Sequence, residues 1–353
     1  MTLEKALSLA RENAVLIDRD NIIPPDILGA FRDAGFYGPY KSVDDARSRI
    51  DLGRILSRDS VGAASTVLIN ASVQFLVSHI IEASPSEPMV RGVLRNGIAA
   101  VSLTEEGGGS DLTRNITVEA KSIDGGSYCL EGEKLFTSNG LYADYFLVLA
   151  RENGELKLFL TADKDNIKAE PLDLAVFRGA GISRVSYSCA KAVELKTPKP
   201  VKAVLHAINL GRLGYTAIGV GIAEGAIGDA LYYAGQRRAF GRSILEFQGI
   251  QWMIADAYSR LETVKSLYRE LLSSLPEIDP IRVAIAKNEA ARIAQEAAWI
   301  DVEIHGGRGL EKHSKPERLY RDARALDIGE GTREILRNLI ASSLAKNHSL
   351  VTR

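Results

Sequence analysis

The chain is poor in cysteine: Cys129 and Cys189 are the only two among 353 residues. Neither lies in a CxxC pair, which excludes a disulfide framework, a thioredoxin-like motif and a zinc ribbon. Both are expected to be buried, reduced thiols of a cytoplasmic protein. An excess of one charge is missing as well. The 44 basic and 45 acidic residues leave −1, so the chain lacks the basic balance of a typical nucleic-acid binder and the acidic balance of a disordered tail. Long apolar runs are absent. MTLEKALSLARENAVLIDRD is interrupted by charges throughout, so no secretory leader is expected. The least polar stretch, TAIGVGIAEGAIGDALYYA, carries Glu224 and Asp229 and reads as a buried helix, with no membrane span expected. The five histidines form neither HExxH nor HxxxH, so no metal site is expected. GxSxG and the P-loop are missing too, which leaves common hydrolase and kinase chemistries without residues to carry them.

What is present falls into three regions of different texture. Residues 1–97 read as helices joined by loops, with apolar positions at helical spacing in LEKALSLARENAVLID and a break from Asn21 to Pro25. Residues 98–196 shift to a period of two: Ile116, Val118 and Ala120 alternate with Thr117, Glu119 and Lys121, and DGGS (124–127) reads as a turn. That pattern predicts a middle antiparallel β domain. Residues 197–353 return to helical spacing. Ile250, Ile254, Ala257, Leu261, Val264, Tyr268 and Leu271 mark one face of a bundle helix, and Asp279-Pro280 supplies the N-cap and first residue of the next. The expected fold is α+β: an N-terminal helical domain, the β domain and a C-terminal four-helix bundle.

Several motifs carry both a structural and a chemical reading. Gly219, Gly221 and Gly225 imitate a dinucleotide fingerprint, but no strand precedes them, so they read as small residues that let another helix approach. LTEEGGGSDL (103–112) has three successive glycines that admit close backbone approach to a ligand; alone it reads first as a surface hairpin. KLFTSNG (134–140) reads as a β edge with an aromatic and two hydroxyls. QRRAFG (236–241) is either a solvated helix end or a paired-arginine site. EIHGGRGL (303–310) ends a helix in a turn. GEGT puts Glu330 between Gly329 and Gly331 just before a helix N-terminus, whose partial positive charge favours an ionised carboxylate. Such a group serves as a general base on a carbon acid, or merely complements the helix dipole.

Order and spacing of these segments resemble the acyl-CoA dehydrogenase family. LTEEGGGSD is similar to its TEPxAGSD segment, YCLEGEKLFTSNGLYADYFLVLAR to its middle-domain strands, RRAFGRSILEFQGIQWMIAD to its RxxFG…fQ segment, and IHGGRGLEKHSKPERLYRDARALDIGEGTREILR to its hGGxGy…RlyRDa…EGT ending. The likeness covers about 98–150 and 205–345, while the N-terminal third matches only as helical.

The resemblance implies FAD held between the β domain and the bundle. Leu103, Thr104, Gly109 and Ser110 match the loop beside the flavin, Phe136 the aromatic against its ring, and Ser138 the hydroxyl near its N5. Arg237, Phe240 and Gln248, and Glu303, Gly306 and Gly307, match contacts made to FAD from a neighbouring subunit; Thr332 and Glu334 match contacts just after the base. Ser110, Asn209, Arg212 and Gly331 align with positions near the acyl-CoA. Glu330 matches the base that takes the α-proton; members that carry the base on the earlier helix have it where this chain has Gly211. The thioester oxygen is held in this family by the base's own backbone N–H and a flavin ribityl hydroxyl. The resemblance further implies fatty-acid β-oxidation, electron-transferring flavoprotein as acceptor and a homotetramer built as a dimer of dimers. Four residues depart from the family: Gly329 for a common Tyr, which is expected to open the acyl pocket, Glu303 for Gln, Glu106 for Pro and Leu336 for Gln. An acyl-CoA oxidase or flavin monooxygenase on the same fold, and a non-catalytic assembly factor, are the alternative readings.

Overall fold

The computed structural model describes residues 3–38, 42–81, 95, 97–123, 126–197 and 200–346. Among the described residues five helices come first: α1 (Leu3–Glu12), α2 (Ala14–Asp20), α3 (Pro25–Asp33), α4 (Val43–Ser57) and α5 (Val61–Ile81). The break after α2 falls at Asn21, whose φ of 54° caps the helix in the left-handed region. Ser42 accepts a hydrogen bond from the Asp45 amide and starts α4.

Nine strands follow in chain order: β1 (Ala99–Ser102), β2 (Glu119–Ile123), β3 (Ser127–Thr137), β4 (Tyr145–Glu152), β5 (Glu155–Thr161), β6 (Ile167–Pro171), β7 (Ser183–Glu194), and the short pair β8 (Arg238–Ala239) and β9 (Arg242–Ser243). The one-turn α6 (Leu112–Asn115) lies between β1 and β2. The seven-stranded sheet is mixed, where the alternating pattern predicts an antiparallel one. β1 runs parallel to β4, with Ala99 opposite Tyr145 and Ser102 opposite Val148, and β2 touches β4 in parallel at Glu119 and Arg151; β2–β3, β3–β7, β4–β5, β5–β7 and β6–β7 are antiparallel. Alternation reports which face a side chain takes and carries nothing about strand direction. The path β4–β2–β3–β7–β5 returns to β4 and closes on itself around Val118, Leu130, Val148, Phe159 and Val185. The turn expected at 124–127 lies partly outside the described residues.

Cys129 and Cys189 are joined in a disulfide; the expectation of two reduced thiols is corrected. Cys189 is the extra residue of a bulge between Leu130–Ala190 and Glu131–Ser188, with φ 57°.

The bundle consists of α7 (Pro200–Gln236), α8 (Gln248–Ser273), α9 (Pro280–His305), α10 (Lys315–Ala325) and α11 (Arg333–Lys346). Asp279 caps α9 through the Ile281 and Arg282 amides, and Pro280 takes the first position. α8 buries Ile254, Ala257, Leu261, Val264, Tyr268 and Leu271 on one face. Gly219, Gly221 and Gly225 of α7 are packing positions: a Cβ at Gly221 would stand 2.1 Å from the Arg54 carbonyl oxygen and one at Gly225 2.4 Å from that of Arg58. α4 lies directly on α7, and this seam ties the N-terminal helices into the core that the bundle helices share.

Candidate active site

Where α5, β1, β4 and α7 meet they line a partly open apolar cavity of about 60 Å³. Its walls are Ile69, Ser72 and Val73 of α5, Val101 of β1, Leu103, Leu147 of β4, and Val204, Ala207, Ile208 and Gly211 of α7; the one charged side chain among the described lining residues is Glu330. A second cavity of about 180 Å³ shares Val204 and is lined by Ser110, Asp111, Leu149, Leu156, Val201 and Leu205.

Glu330 is held by an unusual backbone. It is a non-glycine residue at φ 55°, followed by Gly331 at φ 97°, in the loop between α10 and α11. The Arg212 Nε donates to the Glu330 carbonyl oxygen at 3.1 Å and its Nη1 to Asn209 Oδ1 at 2.8 Å. The Lys287 Nζ donates to the Gly331 carbonyl oxygen at 2.7 Å. The carboxylate rests where a side chain on α7 would be, since a Cβ at Gly211 would fall 2.6 Å from Glu330 Cδ. Desolvation pushes the Glu330 carboxyl up to about 7, against the pull of the Arg212 and Lys287 charges. The helix N-terminus is therefore not what governs its ionisation; burial is, and it brings the group near neutrality, the range suited to a general base.

Gly329 does not open the pocket. A Cβ there would meet the Tyr215 hydroxyl at 2.3 Å, so a tyrosine from α7 already fills the space. Tyr215 is itself packed against Phe177.

The glycine loop 103–110 is built on a buried ion pair. Lys134 Nζ lies 2.6 Å from Glu105 Oε1, with the two side chains 0% and 3% exposed. Lys134 also donates to the Leu103 carbonyl, and Glu105 accepts from the Thr117 and Val118 amides. Desolvation drives the Lys134 ammonium down to about 8, while its hydrogen bond with Glu105 opposes the shift. The Leu135 amide donates to the Thr104 carbonyl at 2.8 Å, fixing the loop beside the end of β3. KLFTSNG is thus not a free edge: β3 is paired through Lys134 with β7, and the register slips before Thr137. At the slip Phe136 takes φ 54° and stands 55% exposed, a planar apolar face beside the glycine loop. Thr137 is buried, whereas Ser138 is half-buried. A Cβ at Gly109 would reach to 2.9 Å from Thr104 Oγ1, so this loop closes tightly on itself.

The structure brings Leu103, Gly211, Asn209, Arg212, Glu330 and Gly331 to one place. Thr332 and Glu334 follow directly, with Thr332 Oγ1 accepting from the Ile335 amide at the start of α11. Arg237, Phe240 and Gln248 lie elsewhere: they flank the β8–β9 hairpin beyond the far end of α7, about 37 Å along the helix from Arg212 at 1.5 Å per residue. Phe240 is 94% exposed there. Glu303, Gly306 and Gly307 are exposed at the C-terminal end of α9, where Gly306 turns the chain at φ 60°. Tyr215, Lys287 and the α5 wall of the cavity lie outside the motifs, while Lys134 and Glu105 lie within KLFTSNG and LTEEGGGSDL with no role assigned to them there. Lys287 and Lys134 leave one trace in the sequence, a lysine inside an otherwise apolar or alternating run. Asp229, Asp301 and His305 form a small cluster in which the imidazole lies 3.1 Å from Asp301 and 3.6 Å from Asp229.

Comparison with known proteins agrees with this geometry. Residues 100–188 match the acyl-CoA dehydrogenase middle domain and residues 201–345 the acyl-CoA dehydrogenase C-terminal domain. The short-chain-specific acyl-CoA dehydrogenase of Clostridium acetobutylicum is 30% identical over 73% of this chain and 70% of its own. The caffeyl-CoA reductase-Etf complex subunit CarC of Acetobacterium woodii is 31% identical over 70% of this chain and 68% of its own. Among solved structures, butyryl-CoA dehydrogenase from Megasphaera elsdenii superposes with a TM-score of 0.86 at 25% identity, covering 97% of both chains. The chain belongs to the acyl-CoA dehydrogenase family of FAD-dependent oxidoreductases.

Proposed function

We propose that the protein dehydrogenates an acyl-CoA thioester to the trans-2-enoyl-CoA with Glu330 as the base. One observation carries this reading: the single carboxylate on the wall of the apolar cavity has a pKa of about 7 and sits on a glycine of the facing helix. The residues fit a flavin: the exposed Phe136 face stands beside the glycine loop, where Leu103, Thr104, Gly109, Ser110 and Ser138 would hold it, with Thr332 and Glu334 after the base. Bound there, FAD supplies the acceptor for a hydride. The apolar cavity takes the acyl chain and excludes water, so the α-hydrogen leaves as a proton to a Glu330 oxygen. The β-hydrogen leaves with its electron pair, and the former α C–H pair becomes the new double bond. Arg212 and Asn209 order the loop that aims the carboxylate. The second cavity, with Ser110 at its rim, suits the thioester and the start of the CoA chain.

Arg237, Phe240, Gln248, Glu303, Gly306 and Gly307 then serve FAD of a neighbouring subunit. Exposed and far from Glu330 in their own chain, they support a homo-oligomer, read here as a tetramer. The electron acceptor is an electron-transferring flavoprotein, a reading supported by a relative named for its Etf complex. No described helix is long and apolar enough to cross a membrane, and a cytoplasmic location goes with this reading. The division into 1–97, 98–196 and 197–353 is retained as the domain scheme. The deciding experiment is anaerobic addition of acyl-CoA to the flavin-loaded protein. The parent bleaches, and Glu330→Gln bleaches at least about 10²-fold more slowly; equal rates would remove Glu330 from the chemistry.

A further inference from the structure

Lys287 is the second cation at the base, and it comes from a different helix. It is 1% exposed on α9, on a face whose neighbours Val283, Ala284, Ala286, Ala290 and Ala291 are all buried. An ammonium in such surroundings is costly unless it is met by an acceptor, and the acceptor here is the carbonyl oxygen of Gly331 at 2.7 Å. The preceding carbonyl, that of Glu330, is taken by Arg212 from α7. Two buried cations from two helices therefore hold two successive carbonyls, and the residues that own those carbonyls are the left-handed pair at φ 55° and 97°. Relaxation of Glu330 toward an ordinary backbone conformation would swing its side chain off the cavity wall; each clamp opposes that movement.

We propose that Lys287 is a positioning residue for the base, fixing the Gly331 carbonyl so that the Glu330 carboxylate stays aimed into the apolar cavity. The inference rests on the reading of Glu330 as base. It includes an electrostatic part. Burial pushes the Lys287 ammonium down to about 8; Glu330 and Asp327 favour its charge, and Arg212 and Arg333 oppose it. Glu330 is faced by Arg212 and Lys287, with the Tyr215 hydroxyl also within its electrostatic reach. Removing the Lys287 charge leaves Glu330 with Arg212 as its one strong counter-charge among these groups, so proton loss from Glu330 becomes harder.

The test uses flavin-loaded Lys287→Gln and Lys287→Met, with flavin content and melting temperature recorded alongside. Anaerobic bleaching by a short and a long straight-chain acyl-CoA is followed between about pH 6 and 9. Exchange of the substrate α-hydrogen with D2O reports proton removal separately. Lys287→Met is expected to retain flavin and to lose about 10- to 100-fold in both bleaching and exchange, the cost of a mis-aimed group. Lys287→Gln, which keeps a donor for the carbonyl, is expected to lose less, with the midpoint of its pH profile raised by about one unit. Bleaching within about twofold of the parent at an unmoved midpoint in Lys287→Gln overturns the inference, even if Lys287→Met fails to hold flavin. Glu330→Gln belongs in the same series. If it bleaches like the parent, the base reading itself falls; if it is inactive beside unaffected Lys287 variants, only the positioning role falls.

Discussion

Adding one methyl group at Gly211 should disable the site without harming the fold. A Cβ at this position would lie 2.6 Å from both Cδ and Oε2 of Glu330 and 2.9 Å from Oε1. Contact between such atoms settles at about 3.5 Å or beyond, so something must retreat by about 1 Å. The carboxylate is the end of a flexible side chain on the wall of the apolar cavity, whereas Gly211 sits inside a 37-residue helix. The carboxylate moves. Misplacement of a reacting group by about 1 Å costs on the order of 10²-fold, or about 2.7 kcal/mol of barrier. Stability should move the other way or not at all, because glycine to alanine inside a helix contributes about 1 kcal/mol. Gly214→Ala is the control on the same helix: its Cβ would meet Leu68 at 3.5 Å or more, ordinary contact. Stopped-flow bleaching of the flavin by acyl-CoA, paired with thermal melting, reads both quantities. Gly211→Ala should be slow and at least as stable, and Gly214→Ala fast. A Gly211→Ala enzyme that bleaches at the parental rate would mean that the carboxylate does not occupy this place when it reacts.

Two further outcomes follow from the same loop. Glu330 must be deprotonated to take a proton, and its pKa is raised to about 7, so kcat/KM should rise with pH through about 7 and fall roughly tenfold per unit below it; a flat profile, or a midpoint near the ordinary carboxylate value, counts against the assignment. Gly329→Ala should cost about 1–3 kcal/mol, because its Cβ meets Tyr215 Oη at 2.3 Å with nowhere to go. Tyr215→Ala should return part of that loss in the double variant, and urea denaturation of the four proteins would show additivity instead if the two residues do not meet.

Much of this was legible in the sequence, and the parts that were not share a cause. The α–β–α order, the capping of α9 by Asp279-Pro280 and the buried face of α8 from Ile254 to Leu271 all follow from local spacing. The glycine-flanked Glu330 is likewise visible as a string. The parallel pairing of β1 with β4 is not, because alternation is blind to strand direction. The Cys129–Cys189 bond was missed because the residues are 60 apart. The α5 wall of the cavity escaped because Ile69, Ser72 and Val73 look like any other residues of a buried helix until α7 is laid against them. Local chemistry is written in the sequence; which helix meets which loop is a long-range fact.

Tyr215 shows why that distinction matters at the base. Read alone, Gly329 is a missing side chain, and a missing side chain suggests space. In the fold, residues 211, 212 and 215 occupy about one turn of α7, and that turn meets two successive residues of the loop, Gly329 and Glu330. Tyr215 fills the place beside Gly329, Gly211 makes room for the Glu330 carboxylate, and Arg212 takes the Glu330 carbonyl. The loop and the helix turn are therefore one complementary surface, bulky where the other is bare. A glycine at 211 is what lets the Glu330 carboxylate reach the cavity wall from the loop. A side chain added on either partner is not a local change. It is felt at the carboxylate, because the two elements have no slack between them.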